Sequence, residues 1–117
     1  MRDHTSLFAW QEARAVARGV LDLSESHWKP ALGAAWSQLQ RCSLSVQLNV
    51  AEGYALGTTA GFNIHLRIAY GSAVETGEVL EHLGERLKPA PPKLLEITER
   101  CRRSQRLLLG LLHRRRA

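Results

Sequence analysis

Seven arginines crowd the end of this chain: Arg100, Arg102, Arg103, Arg106, Arg114, Arg115 and Arg116. A guanidinium is a planar, permanently charged fork that matches phosphate oxygens, so a track of them suits an anionic backbone. Residues 93–117 carry eight Lys/Arg against two acids, a net of +6. Residues 1–57 balance to zero and residues 58–92 to −1, so the whole basic excess lies in the last 25 residues. That asymmetry points to an anionic partner, nucleic acid before others, for the C-terminal segment. The competing account is an ordinary solvated helix face, with positive charge favoured at a helix C-terminus. Aromatic residues are absent from the basic region, so sequence-specific base reading is not expected there.

Other constellations carry weaker chemistry. Ser45, Asn49 and Glu52 are spaced i, i+4, i+7 along the edge of an apolar helical face formed by Leu39, Cys42, Val46 and Val50. Such half-buried polar groups need partners on another helix, and Ser72 and Glu75 are the candidates. The expected role is structural: interhelical hydrogen bonds, with Glu75 paired to Arg41, or else a subunit interface. Antiparallel packing would keep Glu52 and Glu75 from sharing one site. Glu75, Glu78, Glu81 and His82 invite a metal reading, but a di-metal bundle site needs two Glu-x-x-His motifs and a Glu from each of two further helices. Glu78 and His82 stand i, i+4 with no second copy, so a solvated acidic face is expected, with no metal and no cofactor. Ser43, Ser45 and Ser72 have no neighbouring histidine in sequence, although His65 can approach the second helix. No Gly-rich phosphate loop or G-x-S-x-G turn is present, so no enzyme is expected.

Four helical segments must position these residues. The first spans about 6–26, with Ser6 as its cap and Leu7, Trp10, Ala13, Ala17, Val20 and Leu21 on one stripe. Pro30 ends the connection, which Trp28 and Trp36 bracket as exposed aromatics, while Trp10 belongs to the core. The second helix spans about 31–53 and stops at Gly53 as a left-handed cap. The third, capped by Thr58 or Thr59, spans about 59–87 with Phe62, Leu66, Ala69, Ala73, Val74, Leu80 and Leu83 facing in. Gly71 and Gly77 interrupt it, which close helix–helix approach would explain. After the break KPAPP, a fourth helix starts at Pro91 or Pro92 and runs to about 113. Leu94, Ile97, Cys101, Leu108 and Leu112 form its apolar stripe.

Four amphipathic helices with short connections and no strand alternation predict an all-α, antiparallel up-down-up-down four-helix bundle. The 117 residues make one domain, residues 1–117. Cys42 and Cys101 read as reduced core thiols, and no CxxC spacing is present. No apolar run approaches the roughly 20 residues of a membrane span, and the N-terminus lacks a signal-peptide core, so a cytosolic, non-membrane protein is expected.

The chain also carries three ordered motifs over about residues 7–76. They are Leu7–Phe8–Ala9–Trp10–Gln11–Glu12–Ala13, the stretch Gln38–Leu39 through Ser45 and Asn49 to Glu52–Gly53, and Phe62 with Leu66–Arg67–Ile68–Ala69–Tyr70–Gly71–Ser72 and Glu75–Thr76. In this it resembles the small bacterial four-helix bundle proteins first found encoded by intervening sequences within large-subunit ribosomal RNA genes. The resemblance implies a left-handed antiparallel bundle that assembles as a homopentamer. A related branch, the accessory proteins of diversity-generating retroelements, forms basic barrels that bind a reverse transcriptase and nucleic acid. Two functions follow as expectations: RNA or DNA backbone binding through the fourth helix, or a scaffold docking an acidic partner such as a reverse transcriptase. The sequence departs from the family pattern after Gln38–Leu39, where Gln40–Arg41 replaces the usual basic pair.

Overall fold

The computed structural model describes residues 3–116, with the side chains of Arg115 and Arg116 outside the described set. Its four α-helices are α1 (Phe8–Ser26), α2 (Gly33–Leu56), α3 (Thr59–Arg86) and α4 (Pro92–Arg116). Short 3-10 turns at His4–Ser6 and Pro30–Leu32 precede α1 and α2. Each helix packs on its neighbours in sequence and α1 packs on α4, while the diagonal pairs barely meet. Short connections make successive helices antiparallel, giving a rod of 44 × 20 × 20 Å. The up-down-up-down bundle is the architecture that the periodicity predicts.

The ends of the helices follow local chemistry. Thr58 is extended and its side chain accepts from Gly61 N at 3.0 Å, capping α3. Pro92 opens α4, where the missing N–H removes no intrahelical bond. Ser6 does not cap α1. It sits in the preceding 3-10 turn and donates to the Asp3 carbonyl, while Leu7 occupies the cap position without a side-chain hydrogen bond. Gly53 does not end α2 either. The helix continues to Leu56, and Gly57, at φ 71°, is the left-handed cap. Gly53 is instead a contact point, because a Cβ there would lie 2.7 Å from His65 Cβ and 3.0 Å from Phe62 Cδ1. It lets α2 and α3 approach closely near their shared turn. Close approach does not explain the glycines of α3: a Cβ at Gly77 would meet only the movable end of the Gln105 side chain, and Gly71 faces open space.

The core forms two clusters. One gathers Val20, Leu23, Leu32, Trp36, Leu39, Leu80, Leu83, Leu94 and Ile97 around the end that holds the first and third connections. The other gathers Ala9, Ala13, Val46, Val50, Phe62, Leu66 and Leu108 near the termini and the α2–α3 turn. Trp36 is fully buried, contrary to the expectation of an exposed aromatic. The 3-10 turn at Pro30–Leu32 folds the chain back, so the indole plugs the bundle end and donates to the His27 carbonyl at 3.2 Å. Trp28 is the exposed partner and lies over Gly33. Trp10 is half-buried, edge-on to His4 and stacked by Arg14. Leu21 and Val74, expected inside, are exposed because they fall just off the buried stripes of α1 and α3.

Cys42 and Cys101 are free, buried thiols. Burial raises both, and Cys101 reaches about 11 against an ordinary 9.0. The unfolded thiol therefore ionises first as pH rises, so the stability that neutral Cys101 contributes is complete below pH 9 and is lost towards pH 11. Urea midpoints should fall over that window, by on the order of 2 kcal/mol in stability, and Cys101→Ala should flatten the fall.

Candidate nucleic-acid interface

Helix α4 presents its cations in three directions. Arg100 lies at the α1 edge, 3.3 Å from Glu12 Oε2 and 3.5 Å from Glu96 Oε1. Arg103 sits one turn further along, 3.1 Å from Glu12 Oε1. A single carboxylate, only 13% exposed, thus holds two guanidiniums at the α1–α4 seam. Arg106 is exposed and, among the described residues, makes no ion pair. Arg102 points the other way. It pairs with Glu99 at 3.3 Å and lines a groove towards α3 that also holds Glu78 and Glu81. Arg114 is exposed and borders a groove against the first turn of α1. The calls on Arg115 and Arg116 fall on side chains outside the described residues. The structure thus brings Arg100, Arg103 and Arg114 towards α1, leaves Arg106 facing solvent, and sets Arg102 beside acids.

Helix α1 completes this surface with cations that the sequence reading passed over. A groove of about 270 Å³ between α1 and α4 is lined by Arg14, Arg18, Lys93 and Arg100, with Asp22 and Glu96. Antiparallel packing continues it past Glu12 and Arg103 to Arg114. From Lys93 to Arg114 the helix rises about 32 Å at 1.5 Å per residue, a track rather than a point site. The i, i+4 spacing of Arg14 and Arg18 is the sequence signal that could have found them. Glu12 tempers the track, since its carboxylate occupies two of the forks. Glu12→Gln should raise affinity for a polyanion severalfold, with little change in melting temperature because the paired arginines are half exposed.

The polar residues of α2 and α3 form a different feature. Ser45 Oγ and Ser72 Oγ are 2.9 Å apart, and Asn49 donates to the Ser45 carbonyl at 2.9 Å and its hydroxyl at 3.1 Å. The Asn49 oxygen, left facing α3, is 2.9 Å from His65 Nδ1 and so assigns that nitrogen the proton. Glu52 reaches the same nitrogen at 3.8 Å from the exposed edge. Glu75 is apart from this chain. It accepts from Gln38, and Arg41 bonds Gln38 at 2.9 Å, so the expected Glu75–Arg41 pair is bridged by an amide. His65 contacts the asparagine and no serine hydroxyl, so the geometry is that of an interhelical tie. Among the described residues, no group of three or more His, Cys, Asp or Glu converges as metal ligands would. Nor, among the described residues, is any helix long and apolar enough to cross a membrane.

Fold and surface together define a class: a small antiparallel four-helix bundle whose α1–α4 seam carries more cations than acids. The profile of the 23S rRNA-intervening sequence protein family matches residues 5–110 of the chain. The chain belongs to that family. No curated protein and no solved structure matches it.

Proposed function

We propose that this protein is a non-enzymatic, homo-oligomeric bundle that binds the backbone of RNA or DNA along the α1–α4 seam. The observation that carries the reading is the convergence of Arg14 and Arg18 of α1 with Lys93 and Arg100 of α4 on one groove. Guanidiniums in a row neutralise successive phosphates without reading sequence, which suits a contact of high salt dependence. Oligomerisation multiplies that charge, and a ring of five is supported by the family resemblance. A further support is the apolar outer surface of α2 and α3, where Leu44, Leu48, Ile64 and Ile68 are all about half exposed. The working compartment in this reading is the bacterial cytoplasm.

The test is fluorescence anisotropy of a labelled structured RNA titrated with purified protein. Saturable binding that polyanions compete away supports the reading. Absence of binding at low salt, with one stoichiometric acidic protein co-purifying, would replace it with a docking scaffold for a partner such as a reverse transcriptase.

A further inference from the structure

The most exposed large apolar residue of the described chain is Phe8, at 71%. It opens α1, yet the fold sets it against the last turns of α4, nearly a hundred residues later. There it lines a groove of about 280 Å³ with Leu7, Ala9, Leu107, Leu111 and Arg114. The wall is largely apolar, and Arg114 stands on its border. Nothing in the local sequence of the basic region supplies an aromatic ring; antiparallel packing of α1 on α4 supplies one. An exposed ring beside a cation at the end of a phosphate-binding track has the parts of a stacking platform, because a base offers a π-face and its phosphate an anion. The volume lies just below the range of ordinary small-molecule pockets, so it fits a single heterocycle better than a folded segment.

We propose that the Phe8 groove stacks an unpaired nucleobase, so that the protein prefers single-stranded over double-stranded nucleic acid. The inference rests on the backbone-binding reading above. In a duplex the bases are paired and stacked inside, where Phe8 cannot reach them, while the phosphates remain available to the arginines. The backbone track therefore engages both forms and the groove only one. Stacking is tolerant of base identity, which keeps the preference one of strandedness rather than sequence.

The experiment compares a labelled oligoadenylate as a single strand and as its duplex, against wild type, Phe8→Ala, Phe8→Leu and Phe8→Tyr. Wild type should favour the single strand. Phe8→Ala and Phe8→Leu should weaken single-strand binding about tenfold and leave duplex binding unchanged, and Phe8→Tyr should restore it. Because Phe8 is exposed, circular dichroism should be the same for all four proteins. Equal single-strand affinity for wild type and Phe8→Leu would overturn the groove assignment while leaving the backbone reading intact. Loss of the oligomer in Phe8→Ala, seen by sedimentation, would overturn it by showing the ring to be covered by a second copy. Failure of wild type to bind either form would overturn the backbone reading and the groove with it.

Discussion

Under the proposed backbone-binding role, replacing Arg14, Arg18 and Arg114 together by glutamate should lower RNA affinity by on the order of 100-fold or more near 0.1 M salt, with the fold intact. Each change swings the local charge by two, and none of the three side chains is buried, so little packing is lost. The same reversal at Arg102 should have a much smaller effect. Arg102 already pairs with Glu99 and faces the acids Glu78 and Glu81, so it contributes little to the potential along the seam. Anisotropy titrations of the triple variant and Arg102→Glu, with melting curves alongside, separate the two. Equal losses per reversed charge would mean that bulk charge, not the seam, governs binding.

Trp36→Ala destabilises the bundle by about 3–5 kcal/mol, enough to unfold a marginal domain. The indole is fully buried, and the core around it includes Leu23, Leu32, Leu83 and Leu87, side chains from three segments. No neighbour can refill that volume without moving a helix end. Trp36→Phe retains most of the packing and strips the His27 carbonyl of its donor, for a loss nearer 1 kcal/mol. Urea denaturation of the two variants gives both values.

Much of the bundle was legible because helical periodicity is local. Phe62, Leu66, Ala69, Leu80 and Leu83 recur on one face, and a sequence needs no partner to display that. The misreadings fell where a partner decides. Gly53 resembles a cap until α3 comes close enough to require a glycine inside the helix. Trp36 resembles a loop aromatic until the 3-10 turn at Pro30–Leu32 aims it inward. Leu21 and Val74 lie at the margins of their stripes, where a small rotation exchanges core for solvent. The basic surface was legible in part. Its charge is concentrated in the sequence, but its shape depends on Glu12, which meets Arg100 and Arg103 across 88 and 91 residues. No local pattern assigns Arg102 to the opposite edge or recruits Arg14, Arg18 and Phe8 from the other end of the chain.

The most direct test of the central claim is the salt dependence of wild-type binding to single-stranded RNA. Arg14, Arg18 and Arg114 are the seam arginines held in no ion pair among the described residues. Three phosphate contacts per protomer predict a slope of log affinity against log salt of about −2. A slope near zero, or no binding at low salt, would contradict a phosphate-contacting seam and leave these arginines as a solvated face.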